Sequence, residues 1–348
     1  FVFMEEDKEQ HNSEHHAEQK QEHKAEPKKE EHKIEHHKKQ EPKKPFRQVI
    51  FDIYDKKYKL LLIIPMLILF LSLAQIGYQF YTTGDFLNRD ISLKGGVTLT
   101  IPSEGNVNIG QLEKQISDDI PGNEVIVRTL RSAGSVAGLI VEADIDGTDK
   151  AQIDKLISSI ETSLKIDLSK IDYGLEIIGS SLGASFFKES LIALAVAFLF
   201  MGLVVFIYFR TFIPSVAIIL AAFSDMVVAL AVINLMDVRI GTAGIAAFLM
   251  LIGYSVDTDI LLTVRVLKRK EGTVMDRIVS SIKTGMTMTI TAIISAIVAL
   301  AVTQSEVIRQ IMLILLIGLI ADIFNTWIQN VGLLRIYVER KAKKGITI

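Results

Sequence analysis

The sequence predicts an α-helical polytopic membrane protein with six transmembrane helices, carrying a ferredoxin-like α+β domain of βαββαβ order between helices one and two. Three observations predict it. Hydrophobic residues make up 49% of the 348, and mean hydropathy is +0.36. Six stretches reach the length of about 20 apolar residues that crosses a bilayer. A single long connection, residues 82–189, mixes strand-period and helix-period apolar patterns.

The averages hide two populations. Residues 1–45 hold 10 Lys/Arg and 12 Asp/Glu, and all seven histidines fall between His11 and His37. The composition predicts a disordered, charged cytoplasmic tail, because it buries too little apolar surface to offset ordering entropy. Metal binding by His15, His16, His36 and His37 is a sharper alternative to a plain solvated tail. The tail has no apolar core of a signal peptide. With no cysteine in the chain and no histidine outside the tail, a disulfide scaffold, a cysteine metal site and His-based chemistry in the apolar part are excluded. No cofactor or metal is expected.

The spans read as Leu60–Tyr81, Ser190–Phe209, Phe212–Leu235, Ile240–Leu262, Gly285–Val302 and Ile311–Leu334; residues 46–81 comprise a cytoplasmic flank and the first span, 190–334 the other five, and 335–348 a basic C-terminus. Lys/Arg bias then orients them. Lys56, Lys57 and Lys59, Arg210, the group Lys268, Arg269, Lys270, Arg277 and Lys283, and the C-terminal Arg335, Arg340, Lys341, Lys343 and Lys344 share one side, against Arg239 and Arg309 on the other. Both termini are therefore expected in the cytoplasm, with the chain in the cell membrane and in contact with its lipid.

In the long connection, 16 Asp/Glu against 9 Lys/Arg between Gly84 and Ser185 give a net charge of −7. Ile91–Ile101 reads as a strand bulged at Gly95-Gly96. Asn108 caps a helix through Ile120, with Ile109, Leu112, Ile116 and Ile120 on one face. Glu124–Leu130 and Val136–Ile145 form two strands around the turn Ser132–Gly134. Gly147 or Thr148 starts a second helix facing inward with Ile153, Leu156, Ile157, Ile160 and Leu164, and Tyr173–Ile178 is the last strand. The fold names no function. The domain holds no nucleophile set, phosphate loop or metal spacing, so a binding or gripping role is expected rather than an enzyme, and no nucleic-acid partner.

The apolar block contains ionisable groups at depth, which are costly in hydrocarbon and usually face a bundle interior. Asp225 lies mid-span in span three. Asp257 and Asp259 lie in span four, with Asp257, Leu261 and Arg265 along one side. Asp322, Asn325 and Gln329 form a polar stripe on span six; Thr284, Thr287, Thr291 and Ser295 form another on span five. The second stripe suits packing and function equally. The carboxylates point to proton binding, with an Asp–Arg pair that opens and closes. A static buried ion pair is the alternative, sodium is a second candidate ion, and Asp259 also reads as a solvated helix-end residue.

Three stretches carry a family resemblance. They are Arg89-Asp-Ile-Ser-Leu-Lys-Gly-Gly-Val-Thr, Glu176-Ile-Ile-Gly-Ser-Ser-Leu-Gly, and Ile252-Gly-Tyr-Ser-Val-Asp-Thr-Asp-Ile-Leu-Leu-Thr-Val-Arg, with Gly95, Gly96, Gly253 and Tyr254 as motif residues. Over about residues 50–340 the pattern resembles the SecF side of the SecD/SecF protein-export family, within the RND transporter superfamily, in its archaeal type. The Leu-Lys-Gly-Gly is closer to SecD, where SecF usually has Asp-Phe-x-Gly-Gly-Thr. Asp257-Thr258 stands where bacterial SecF has Asn-Asp. The resemblance implies an accessory subunit of the Sec translocase that uses the proton motive force, with SecD, the SecY channel complex and the translocating preprotein as partners. It implies a relay through Asp225, Asp257 and Arg265, and Asp259 and Asp322 are further candidates. Alternatives are half of an RND small-molecule or lipid exporter, a SecD-like subunit, or a scaffold without ion flow.

Overall fold

The computed structural model describes residues 54, 56–103, 107–132, 135–303 and 305–345. The charged tail, with its candidate metal-binding histidines, and the centre of the Ser132–Gly134 turn lie outside the described residues. In chain order the elements are α1 (Tyr58–Thr83), the short turn α2 (Ile91–Lys94), β1 (Gly96–Pro102), α3 (Ile109–Asp119), β2 (Val125–Ser132), β3 (Ser135–Ala143), α4 (Lys150–Leu164) and β4 (Gly174–Ile178). Then follow α5 (Ser180–Phe209), α6 (Phe212–Leu235), α7 (Thr242–Lys268), α8 (Val274–Val302) and α9 (Glu306–Lys343).

Six of these helices, α1 and α5 to α9, are long and apolar enough to cross a membrane. They match the six hydropathy segments in number and order. Three differ markedly in length: α5 begins ten residues before Ser190, α8 eleven before Gly285, and α9 runs nine beyond Leu334. Hydropathy ends where charge begins, whereas backbone hydrogen bonding continues into water. Burial separates the six. In α6 and α7, 56% of the most apolar window is enclosed, against 11% in α1 and α5, so α6 and α7 form the centre. Leu199, Phe200 and Leu203 of α5 and Phe70 of α1 face outward, as lipid-facing side chains do.

The four strands make one antiparallel sheet in the order β2-β3-β1-β4, with Leu99 opposite Val141 on one side and Leu175 on the other. α3 and α4 cover one face. Val97, Leu99 and Ile101 of β1 bury against Leu112 and Ile116 of α3 and Leu156 and Ile160 of α4. Asn108 caps α3 as expected, accepting from the Gln111 N–H at 3.3 Å. The cap of α4 is Asp149, not Gly147 or Thr148; its carboxylate accepts from the Ala151 N–H at 2.9 Å.

The first strand is also shorter than expected. Residues 91–94 form a helical turn, because the Asp90 side chain accepts from the Ile91 N–H at 2.5 Å and Gly95 N–H donates to the Ile91 carbonyl at 2.7 Å. Ile91 and Leu93 have strand spacing, but Leu93 packs among Ile233, Ile240 and Leu251 at the ends of α6 and α7. The two glycines have φ of 87° and 142°, and a Cβ on Gly95 would stand 2.4 Å from the Ser180 Cα. Reciprocally, a Cβ on Gly183 would stand 2.5 Å from the Gly95 nitrogen. Two of the three motif stretches therefore meet backbone to backbone where the domain feeds α5.

The domain is tied to the α6–α7 connection. Ile240 N–H donates to the Asn88 carbonyl (2.7 Å), Asp90 N–H donates to the Ile240 carbonyl (3.0 Å), and Asn88 Nδ2 donates to Asp237 (2.8 Å). Arg239 forms an ion pair with Glu124, which Lys94 also contacts at 3.2 Å.

Candidate ion-relay site

Three central helices each contribute one carboxylate to a common interior. Asp225 of α6, Asp259 of α7 and Asp322 of α9 are all completely enclosed. Ser255 Oγ donates to Asp225 Oδ2 at 2.5 Å, and Asn325 Nδ2 donates to its Oδ1 at 2.7 Å. Asn330 Nδ2 donates to Asp259 Oδ1 at 2.7 Å, while Asp259 Oδ2 and Asn330 Oδ1 have no partner. Thr326 Oγ1 lies 3.0 Å from Asp259 Oδ1 and 2.7 Å from Asp322 Oδ1. The Thr258 hydroxyl, 2.9 Å from the Ser255 carbonyl, stands 3.3 Å and 3.4 Å from the two Asp322 oxygens. Gln329 Nε2 donates to Ser224 Oγ at 3.3 Å, closing the network toward α6.

Local structure places these groups. α9 widens into a π-helical turn over Asn325–Asn330, the kind of interruption that recurs at functional sites. Trp327 in that turn lies against Gly285 of α8, where a Cβ would stand 2.3 Å from the ring. The stripe Asp322, Asn325 and Gln329 faces inward as its spacing suggested. Thr326 and Asn330 join it at the i+4 and i+8 positions of the same face. Neither was singled out from the sequence, nor were Ser255, Thr258 and Ser224; the i+4 and i+8 spacing from Asp322 was the signal available for the first two.

Asp259 is therefore no solvated helix-end residue: it is fully buried and hydrogen-bonded to Thr326 and Asn330 of α9. Asp257 lies outside the cluster, exposed, on a cavity of about 980 Å³ along α7, α8 and α9. Tyr254, Thr284, Thr287, Thr291 and Ser295 line the same cavity, and motif residue Gly253 has open space around it. Thr287, Thr291 and Ser295 each donate to the carbonyl four residues earlier, at 2.7–2.9 Å. Thr287, Thr291 and Ser295 are exposed on this cavity, whereas Thr284 is engaged by Arg265 of α7. Arg265 does not pair with Asp257. Its Nη1 donates to the Ser280 carbonyl (2.7 Å), to Ser280 Oγ (3.2 Å) and to Thr284 Oγ1 (2.9 Å). Among the described residues, no Lys or Arg forms an ion pair with Asp225, Asp259 or Asp322.

The chain is similar along most of its length to known proteins. A family model described as protein export membrane protein SecD/SecF, C-terminal, matches residues 158–340. The protein-export membrane protein SecF of Methanocaldococcus jannaschii is 36% identical over 296 residues, covering 83% of this chain and 99% of the relative. SecF of Pyrococcus furiosus is 34% identical, covering 82% and 93%. Among solved structures, SecDF of Thermus thermophilus, a translocon-associated membrane protein, superposes with a TM-score of 0.63 at 16% identity. It matches 84% of this chain and 42% of its own length, a likeness of fold.

Proposed function

The chain belongs to the SecD/SecF family of protein-export membrane proteins, on its SecF side, and we propose that it is a SecF-type accessory subunit of the Sec translocase, working with SecD to assist export with the proton motive force. One observation supports the mechanism: Asp225, Asp259 and Asp322 share a buried network of hydroxyls and amides, and among the described residues no Lys or Arg is paired to them. Carboxylates gathered in hydrocarbon need their charge balanced. With Arg265 held by Ser280 and Thr284, protons are the simplest balancing species. Binding and release would change which hydroxyls and amides serve as donors, and so how α6, α7 and α9 pack.

The tether from Asn88 and Asp90 to Ile240 gives such repacking a direct route to the small domain. We read that domain as ferredoxin-like, on the strength of its βαββαβ order and its two helices on one face, and as lying outside the cytoplasm. The Lys/Arg bias supports this reading, and with it a cytoplasmic position for both termini. The cavity beside Tyr254, Asp257 and the hydroxyl stripe suits a second six-helix half, as SecD would supply, with the SecY channel and the emerging preprotein as further partners. No catalytic step is assigned to the chain.

Reconstitution with SecD and the channel in vesicles tests this. Asp225→Asn and Asp259→Asn should each abolish the part of export that depends on the proton gradient while leaving complex assembly intact. Gradient-dependent export unchanged in both variants would sink the relay.

A further inference from the structure

We propose that Thr326 is the relay residue through which a proton passes between Asp259 and Asp322; this deepens the reading of the aspartate cluster as a proton site and rests on it. Thr326 is fully buried, and its single hydroxyl sits between the two carboxyls, 3.0 Å from one and 2.7 Å from the other. A hydroxyl has one hydrogen and two lone pairs. Both contacts are hydrogen bonds when one carboxyl carries a proton and donates to Thr326, which donates in turn to the other. With both ionised, one contact sets an oxygen lone pair against a carboxylate.

A helical Ser or Thr commonly spends its hydrogen on the carbonyl four residues back. Ser215, Ser224, Ser281, Thr287, Thr291 and Ser295 all do so here. Thr326, inside the π turn, bonds only to the two carboxyls. The remaining carboxyl of the cluster, Asp225 on α6, is occupied by Ser255 and Asn325, and the Thr258 hydroxyl by the Ser255 carbonyl. Thr326 is thus the hydroxyl placed to join Asp259 to Asp322.

In the transfer, protonated Asp259 gives its proton to Thr326 Oγ1 as the Thr326 hydroxyl hydrogen moves to Asp322 Oδ1. One O–H bond breaks and one forms at each end. Thr326 finishes as a neutral hydroxyl, and the negative charge has moved from Asp322 to Asp259. The reverse order returns it.

The test uses the full chain with its SecD partner in vesicles, measuring proton flux across a pH series. Thr326→Val and Thr326→Ala should slow flux by about a hundredfold or more, the lower end for a lost proton-transfer group, and Thr326→Ser should restore most of it. Wild-type flux in Thr326→Val, with flux lost in Asp259→Asn and Asp322→Asn, overturns the relay role and leaves the cluster reading standing. Flux unchanged in all of these removes the cluster reading itself. Should the hydroxyl-free variants not fold, the unaltered chain decides. A relay moving two protons in one step gives a curved dependence of flux on deuterium fraction, and a linear one overturns the proposal.

Discussion

Asp257 and Asp259 stand two residues apart on α7 and face opposite surroundings: Asp259 is buried against Thr326 and Asn330 of α9, and Asp257 opens onto the cavity beside α8. Two residues turn a helix by about 200°, so the pair cannot share one face. Asp259→Asn is expected to remove gradient-dependent export and Asp257→Asn to retain most of it. Equal losses in a vesicle export assay would show that the cavity face takes part in the relay.

The contact of Gly95 with the start of α5 predicts a stability cost. Gly183→Ala places a methyl 2.5 Å from the Gly95 nitrogen, with backbone rather than a flexible side chain in the way. Overpacking of this kind costs about 1–3 kcal/mol. Gly253→Ala, with nothing within 4 Å, is the control and should be neutral or slightly stabilising. Thermal unfolding of the purified protein in detergent compares the two, and equal midpoints would contradict the close contact.

Gly285 and Trp327 give a second packing prediction, this time beside the cluster. A methyl at Gly285 meets the indole at 2.3 Å and must push it, and with it the π turn that presents Thr326 and Asn330. Gly285→Ala should therefore lower proton-coupled export and shift the tryptophan emission; Trp327 is the chain's single tryptophan, so the signal is unambiguous. An unchanged emission spectrum would show that the ring has room to move aside.

Outside the membrane, Glu124 makes the domain's attachment pH-dependent. Burial alone would raise its carboxyl, but the ion pairs with Arg239 and Lys94 outweigh this and hold it below its ordinary 4.5. A carboxylate lowered in the folded state contributes stability that is complete above the unfolded value and is lost as pH falls through the folded one. Hydrogen exchange in the Asn88–Asp90 segment should therefore quicken as pH falls below about 4.5, after correction for intrinsic rates. Glu124→Gln should show the faster exchange already at neutral pH. Glu142 has the opposite sign: burial pushes it above 4.5 despite Arg128, so it disfavours the fold as pH rises through that raised value, and Glu142→Gln should remove that loss.

Much of this architecture was legible. The six spans followed from length and hydropathy, because a bilayer core of about 30 Å admits only long apolar helices. The cap at Asn108 and the buried faces of α3 and α4 followed from local chemistry and periodicity. The turn at Ile91–Lys94 was not legible. Ile91 and Leu93 alternate as a strand would, and only the ends of α6 and α7, more than a hundred residues away, explain why Leu93 is buried.

By itself the sequence determined that three different spans carry aspartates at depth and that no histidine or cysteine lies in the spans beside them. The tertiary structure alone decided which aspartates meet. Helix rotation and the packing of α6, α7 and α9 bring Asp225, Asp259 and Asp322 together, turn Asp257 outward, and hand Arg265 to Ser280 and Thr284. Hydrophobicity sets how deep a residue lies, but not which neighbour stands beside it; that depends on side chains far apart in the chain that must fill one interior together.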